Sequence, residues 1–373
     1  MTVPASDGRA PVRLAIVGAG AIARHHLRAL EALQGDAVLV AICDASRRAR
    51  DGLAREGLAS SGEVRLVDDH RALDSVLVDA AIVALPHQLH ASVAGDLVQR
   101  GIHVLVEKPL TRTVEEAITL DALARDAGVI AMAAMVRRFA VDVDDARAWL
   151  SADPRRFGDL RSFDMQVWQN IDAYVGGVGP DHWLLDGERA GGGVVISVAI
   201  HQLDLLRNLT GVDVVEVIAR GRFDPPLRRG AESSASVLLT MSNGATGTLH
   251  ATYTAPRVPY CEAFTIFGTT GTLTMHADTP AAYHGRVRVA SAFGHATRVW
   301  DDQFAVPELA PPASSDRREP FARQLAAFVA AVTGAAPNPC GVEDQLNTLA
   351  TIEAIGASMR SGQPVVVGEA SRA

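Results

Sequence analysis

The sequence predicts an α/β protein: a doubly wound parallel sheet, followed by an α+β domain with a mostly antiparallel sheet. Over the first 134 residues, apolar runs of strand length alternate with helical segments and short connections, which is typical of a parallel sheet with helices on both faces. Between residues 212 and 300, strand-like runs follow one another, and Asn243-Gly244 is a strong hairpin signal. We expect a disordered lead-in at 1–11, a first domain at 12–134 and a second at 135–373.

Length and composition narrow the class of protein. A chain of 373 residues favours two domains, and its 48% hydrophobic and 21% charged residues are typical of globular proteins. A net charge of −8 provides no basic surface for nucleic acid, and no apolar run is long enough to cross a bilayer. The N-terminus lacks the apolar core of a signal peptide, and three widely spaced cysteines fit a reducing compartment. We therefore expect a cytoplasmic protein, and the spacing of His and Cys predicts no metal site.

The first domain is predicted to contain six strands whose carboxyl ends carry the functional residues. Ligands of such sheets bind at these ends, so Gly18, Asp44, Pro86 and Lys108 are expected to converge there. The predicted strands are Val12–Gly18, Ala37–Cys43, Val64–Val67, Asp79–Leu85, His103–Val106 and Val129–Ala133. The predicted helices run to about Gln34, over Ala91–Arg100 and over Thr113–Ala127.

The turn after the first strand has the spacing of a dinucleotide site. Gly18 permits a tight turn, Gly20 lets a pyrophosphate approach the backbone, and Ala23 allows close packing of helix on strand. Asp44 ends the second strand 24 residues beyond Gly20, where an acid binds the adenosine ribose. The alternative for Asp44 is a helix N-cap. Asp44 favours NAD, whereas nearby Ser46, Arg47 and Arg48 leave NADP open.

Lys108 follows the fifth strand and is the only lysine in the chain; every other basic charge is carried by arginine. Arginine cannot lose its proton in a protein, but lysine can, and its pKa moves readily on burial. Since Lys108 ends a predicted buried strand and precedes Pro109, we interpret it as a chemical group rather than a stray surface residue.

The second domain is predicted to place a histidine on a glycine-led helix. Three glycines open Gly191–Thr210, and a 3.6-residue period puts four positions on one face. These positions are Gly193, Ser197, His201 and Asp204. A polar stripe on an apolar helix favours His201 as an acid or base, and the alternative is a hydrogen-bonded core histidine.

Other elements of this domain are predicted from their patterns alone. A helix is expected over Arg137–Leu150, a strand over Leu160–Trp168 and a loop over Ile171–Ala190. The remaining predicted elements are strands at Phe264–Gly268 and Thr272–Met275, helices at Glu319–Thr333 and Val342–Arg360, and an edge strand at Pro364–Val367.

Four segments together resemble the Gfo/Idh/MocA oxidoreductases, over Val12 to about Val367. They are GAGAIA at 18–23, ALPHQLH at 84–90, VEKPL at 106–110 and GGGVVISVAIHQLD at 191–204. The resemblance implies a Rossmann domain, then a domain with a large open sheet often used for oligomerisation, hence a homodimer or homotetramer. It also implies a nicotinamide cofactor, hydride transfer at a carbinol of a sugar, sugar derivative or cyclitol, and a frequently cis Lys108–Pro109 bond.

The resemblance also implies roles for individual residues. Lys108 and His201 are expected to be catalytic. The expected cofactor contacts are Gly18, Gly20, Ala21, Ile22, Asp44, Arg48, Leu85, Pro86, His90, Glu107, Lys108 and Arg138. The expected substrate contacts are Lys108, Asp181, His182, Trp183, Ser197, His201 and Asp204. For Asp181, His182 and Trp183, an ordinary surface loop is the alternative.

One departure from the family pattern concerns Ser197, because many members carry Asp there, four residues before the histidine. A serine supplies no carboxylate to raise the basicity of His201, although His201 alone can act as a base near neutral pH. The first hypothesis is reversible oxidation of a secondary alcohol to a ketone. The alternatives are glycoside or sugar-nucleotide 3-oxidation with tightly bound NAD, reduction of a C=N or C=C bond, and an inactive cofactor-binding regulator.

Overall fold

The computed structural model describes residues 10–33, 35–55, 64–175, 179–255, 260–277, 295–300 and 318–369. The chain divides into two units, one formed by residues 1–136 with 318–346 and the other by 137–317 with 347–373. The predicted lead-in therefore lies almost entirely outside the described residues. The first unit also takes in residues 318–346, a segment that the sequence pattern assigned to the second domain.

Strands and helices are numbered in chain order over the described residues. The strands are β1 Val12–Val17, β2 Ala37–Cys43, β3 Arg65–Val67, β4 Ala80–Val83, β5 His103–Glu107, β6 Ala131–Ala134, β7 Leu160–Trp168, β8 Val214–Arg222, β9 Ser234–Met241, β10 Thr246–Thr252, β11 Cys261–Gly268, β12 Thr272–Ala277, β13 His295–Trp300 and β14 Val365–Val366. The helices are α1 Ala21–Leu30, α2 Arg47–Arg55, α3 His90–Val98, α4 Val114–Ala127, α5 Val141–Ala152, α6 Ile171–Val175, α7 Gly187–Ala190, α8 Ile200–Thr210, α9 Arg318–Val332 and α10 Val342–Ser361.

The first unit is built on a parallel sheet with the strand order β3-β2-β1-β4-β5-β6. Its central strands are buried almost continuously: all four residues of β4 and the last four of both β1 and β5. Continuous burial is expected where helices cover both faces of a parallel sheet. All six predicted strands of this domain are present, so the doubly wound Rossmann fold is confirmed.

Packing explains why residues 318–346 belong to the first unit. Helix α9 lies against α1, where Phe321 stacks on His25 with ring centroids 5.1 Å apart. The chain then returns to the sheet edge, where the backbone N–H of Ala133 donates to the carbonyl of Cys340 at 2.9 Å. These contacts join segments more than two hundred residues apart, a separation that no local sequence pattern encodes.

The second unit contains a sheet with the order β13-β12-β11-β7-β10-β9-β8-β14. Neighbouring strands are antiparallel except for the parallel pair β7–β10. Buried and accessible residues alternate along β9 and β10, which is typical of a sheet with one face against the core. The mostly antiparallel sheet is therefore confirmed, and β14 is the predicted edge strand.

Two local predictions for this unit need correction. The segment predicted as a single helix from Arg137 begins with a 3-10 turn at Val136–Phe139, and α5 starts only at Val141. The predicted loop at 171–190 contains the short helices α6 and α7, the second capped by the Asp186 carboxylate, which accepts from the N–H of Glu188. Among the described residues, no helix is both long and apolar enough to cross a membrane.

Candidate functional site

In the first unit, four neighbouring strands bring the predicted cofactor residues to one edge of the sheet. The strands β2, β1, β4 and β5 are adjacent and parallel, so their carboxyl ends lie side by side. At these ends lie Asp44, Gly18, Leu85 with Pro86, and Glu107 with Lys108. The sequence-based expectation that they converge is therefore met within this unit.

The turn after β1 contains two glycines with different roles: packing requires the first, and the second leaves open space. Gly18 has φ +103°, and a Cβ there would lie 2.2 Å from the carbonyl oxygen of Ala84, so a side chain is excluded. Gly20 is the N-cap of α1, and a Cβ there would meet nothing within 4 Å. Ala21 and Ile22 form the first turn of this helix. An unobstructed helix N-terminus with free N–H groups fits a pyrophosphate.

Asp44 lies between the glycine turn and the start of α2. One carboxylate oxygen accepts from the backbone N–H of Ala19 at 2.8 Å, and the other accepts from the N–H of Ser46 at 2.7 Å. Asp44 therefore accepts a hydrogen bond just before the start of α2, as a capping residue would, and its carboxylate also binds the glycine turn. Each oxygen keeps a further lone pair, which fits a ribose hydroxyl. Arg48 lies exposed on α2 nearby.

Lys108 follows Glu107, a buried carboxylate at the end of β5. One Glu107 oxygen lies 2.8 Å from Nε2 of His26, and the other accepts the backbone N–H of Lys108 at 3.2 Å. Burial alone would raise the pKa of Glu107, but His26 and Lys108 together lower it below its usual value. Burial lowers the pKa of Lys108, and the charge of Glu107 opposes that shift. The lysine is therefore poised to exchange a proton more readily than an ordinary surface lysine.

His26 was not singled out from the sequence. It lies fully buried on α1, where its pattern is that of any helix residue facing the core. Only the tertiary structure reveals its contact with Glu107 at the end of β5.

His90 has a different position from the one predicted. It is fully buried, and its ring nitrogens lie 2.7 Å from the carbonyl oxygens of Leu85 and Pro109. Burial lowers the pKa of His90, and the hydrogen bonds to the two carbonyls act in the opposite direction. His90 thus links the ends of β4 and β5 and supports the turn at Lys108–Pro109, whose peptide bond is cis, rather than reaching outward to a cofactor.

In the second unit, the helix that carries His201 begins at a clamp formed by Glu232. The buried Glu232 carboxylate accepts the N–H groups of Gly193 and Val195, both at 2.8 Å, and its backbone carbonyl accepts that of Val194 at 3.1 Å. A Cβ on Gly193 would lie 2.0 Å from the Glu232 carbonyl oxygen. The close approach of the Glu232 backbone therefore accounts for the glycine at position 193.

The helix is not uniform, which corrects the simple 3.6-residue stripe. Val195–Ala199 forms a π-helical turn before α8 begins at Ile200. Such turns shift the phase of a helix by one residue and are frequent at functional sites. Ser197 lies inside this turn and is buried, whereas His201 follows it and is partly accessible.

Arg138 and Asp204, predicted for the cofactor and the substrate, are bound to each other. The Nε and Nη2 atoms of Arg138 lie 2.7 and 2.6 Å from the two oxygens of Asp204, and the side chains are only 4% and 1% exposed. Because this bidentate ion pair is buried within the second unit, we assign both residues a structural role and correct the sequence-based assignments.

A second buried polar group lies on neighbouring elements and was also missed from the sequence. Arg137 lies 2.8 Å from one oxygen of Glu262, and the side-chain amide of Gln202 donates to the other at 2.8 Å. Asp142 lies 3.4 Å from the same guanidinium. Glu262 lies 125 residues beyond Arg137, so only the fold reveals that these two charges compensate one another.

The predicted sugar-lining segment is accessible on the second unit. Asp181 is fully exposed, 4.0 Å from Arg228, and His182 and Trp183 are partly buried, with ring centroids 5.6 Å apart. Burial, with the charge of Arg189, lowers the pKa of His182. A neutral imidazole beside an indole fits contact with a sugar.

Comparison with known proteins agrees with both units. Residues 12–135 match the model of an oxidoreductase family with an NAD-binding Rossmann fold, and residues 145–274 match the GFO/IDH/MocA C-terminal domain. The chain is 25% identical to a scyllo-inositol 2-dehydrogenase (NAD(+)) of Bacillus subtilis, over 95% of this chain and 96% of the relative. It is 28% identical to a D-xylose 1-dehydrogenase (NADP(+)) of Haloferax volcanii, over 90% of this chain and 94% of the relative.

A solved structure extends the similarity to the fold of nearly the whole chain. An oxidoreductase domain protein from Kribbella flavida superposes with a TM-score of 0.82 at 22% identity, over 97% of this chain and 100% of that one.

Proposed function

Because the chain belongs to the Gfo/Idh/MocA family of NAD(P)-binding oxidoreductases, we propose that it interconverts a secondary alcohol and a ketone on a sugar, sugar derivative or cyclitol. The observation that carries this proposal is Lys108. The only lysine of the chain follows a strand at the sheet edge that carries the glycine turn, and burial lowers its pKa. The names of the relatives, an inositol dehydrogenase and a xylose dehydrogenase, support the substrate class.

The bound nicotinamide supplies the hydride acceptor or donor, and the residues of this chain bind, orient and move protons. The open N-terminus of α1 beyond Gly20 fits the pyrophosphate, and Asp44 fits the adenosine ribose. An acid at position 44 favours NAD over NADP, because a 2′-phosphate would meet its negative charge.

In the proposed mechanism, the Lys108 ammonium donates a hydrogen bond to the substrate oxygen as negative charge develops there. Glu107, held by His26, limits the loss of the lysine proton. His201 accepts the hydroxyl proton during oxidation and returns it during reduction. Ser197 is buried one turn earlier, so no carboxylate stands at that position to hold a positive charge on His201.

Two substitutions of the same lysine separate these roles. Lys108→Met removes the donor and should lower kcat by about 10²–10³-fold while NAD still binds, the range for loss of one preorganised donor. Lys108→Arg keeps the charge but cannot lose a proton, so recovered activity would mean that only the charge matters. Turnover is followed as NADH absorbance with hexoses, inositols and glycosides, each with NAD and NADP.

A matched control is Arg161→Gln, which changes one exposed charge on β7 and should leave kcat unchanged. Loss of one preorganised donor lowers kcat by far more than about tenfold. If Lys108→Met retained turnover within about tenfold of the wild type, the proposed role of the lysine would be wrong. If the wild type bound NAD but oxidised or reduced none of these sugars, the inactive cofactor-binding regulator would replace the proposal.

A further inference from the structure

The second unit contains a cavity of about 320 Å³ next to the Glu232 clamp. This volume is near the lower limit of the roughly 300–1,000 Å³ typical of small-molecule pockets. Four segments surround it: α7 with its glycine turn, the π-helical turn, the connection between β8 and β9, and the C-terminal half of α10. Neither Ser197 nor His201 is among the described residues that line the cavity. The cavity is therefore separate from His201, the proposed catalytic residue of this unit.

One part of the cavity lining is apolar. Val195, Ile196 and Ile355 contribute side chains that are at most 2% exposed, and Ile352 and Met359 extend the same surface. These apolar side chains suit a compact apolar group, and charged side chains line other parts of the cavity. An apolar group bound there would differ in chemistry from the proposed substrate.

A glycine in the middle of α10 keeps the cavity open. Gly356 lies in a helix interior, where glycine is less favourable than alanine. A Cβ at this position would meet only the Nη1 atom of Arg360, at 3.4 Å, so packing does not require glycine here. The missing side chain leaves space in the cavity wall, and the Nη1 atom of Arg360 lies beside that space.

Another lining residue, Arg229, has unusual backbone geometry. Arg229 has φ +52°, and it is the one residue other than glycine with a positive φ in the described part of the chain. Its guanidinium lies 3.2 Å from both Asp186 and Glu188, which hold the conformation in place. Strained residues of this kind concentrate at ligand sites, and Phe223, 53% exposed, adds an accessible aromatic ring to the cavity lining.

Among the described residues, the charges around the cavity leave one cation for a ligand. Glu188 is paired with Arg229, and the Glu232 carboxylate accepts two backbone N–H groups. Arg360 is exposed, and no carboxylate of the described residues lies within 4.0 Å of it. An anionic group on the ligand would therefore be attracted to the Arg360 end of the cavity, and the apolar part would be directed inward.

We propose that this cavity binds a small monocarboxylate with an aromatic or branched apolar body. Its carboxylate pairs with Arg360, and its body packs between Ile352, Ile355 and Phe223. An uncharged molecule of the same shape would lose the charge-assisted hydrogen bonds, which are roughly twice as strong as neutral ones.

The test uses 3-phenylpropionate as the probe and 3-phenylpropionamide as its uncharged match, each titrated into the full-length protein by calorimetry. We expect the carboxylate to bind at least about tenfold more tightly than the amide, a difference of about 1.4 kcal/mol. Arg360→Gln should remove that preference, whereas Arg161→Gln, an exposed charge on β7, should retain it. Gly356→Leu should abolish binding of both probes by filling the cavity.

Three outcomes overturn the proposal. One is the absence of detectable binding of the carboxylate at a concentration of about 10 mM, because a larger dissociation constant would correspond to little interaction energy. Another is equal affinity of wild type and Arg360→Gln for the carboxylate. The third is unchanged binding by a folded Gly356→Leu variant. Because Arg360 is exposed and its substitution leaves the core intact, the proposal stays testable even if Gly356→Leu does not fold.

Discussion

The buried ion pair between Arg138 and Asp204 predicts a large and specific loss of stability. Asp204→Ala leaves a guanidinium that is 4% exposed without its bidentate partner. Removing one member of a buried pair costs about 3–5 kcal/mol, because the remaining charge is desolvated and uncompensated. Replacing both members of such a pair with apolar residues of similar size is commonly neutral or stabilising. The double variant Arg138→Met with Asp204→Leu should therefore recover most of the loss.

Tryptophan fluorescence reports this change selectively, because every tryptophan belongs to the second unit. The four are Trp149, Trp168, Trp183 and Trp300. Urea unfolding is compared for the wild type, Asp204→Ala, the double variant and Arg155→Gln. The last variant removes an ion pair with Asp153 by changing a side chain that is 90% exposed, so it should leave the midpoint unchanged. If Asp204→Ala unfolded at the wild-type midpoint while its KM for the sugar rose, Asp204 would be a substrate ligand, as the sequence pattern suggested, and the structural reasoning would be refuted.

Two further predictions concern the first unit. Glu107→Gln removes the charge that opposes the downward pKa shift of Lys108, so the pKa of Lys108 should fall further. This pKa can be followed by ¹³C NMR after reductive methylation, since the chain has a single lysine. An unchanged pKa would contradict the assignment. Because the folded pKa of Lys108 lies below its unfolded value, the unfolded chain binds more protons between the two, and stability relative to Lys108→Met should rise with pH over that window. Gly18→Ala should weaken NAD binding by at least about tenfold. The residue has φ +103°, and an added Cβ would lie 2.2 Å from the carbonyl oxygen of Ala84, so the turn would have to move. The control is Gly52→Ala, whose added Cβ would meet nothing within 4 Å, and this variant should bind NAD normally.

Local chemistry explains which parts of the site were predictable. The glycine turn, Asp44 and Lys108 each follow an apolar strand, and parallel strands place such positions on one edge whatever the rest of the chain does. The expected roles of His90 and Asp204 came from the family resemblance and not from a strand end. A histidine has the same sequence context whether it faces a ligand or two buried carbonyls. The partner of Asp204, Arg138, is 66 residues away.

Sequence alone was sufficient for the alternation of strands and helices in the first unit, the two fold classes, the family and the strand ends that carry Gly18, Asp44 and Lys108. These features depend on periodicity and on turn residues, which act over a few positions. The tertiary structure alone decided the pairing of His26 with Glu107, the clamp of Glu232 on the histidine helix and the cavity beside Gly356. Each joins segments tens to hundreds of residues apart, and the burial that makes a charge costly or a glycine necessary exists only once those segments have packed.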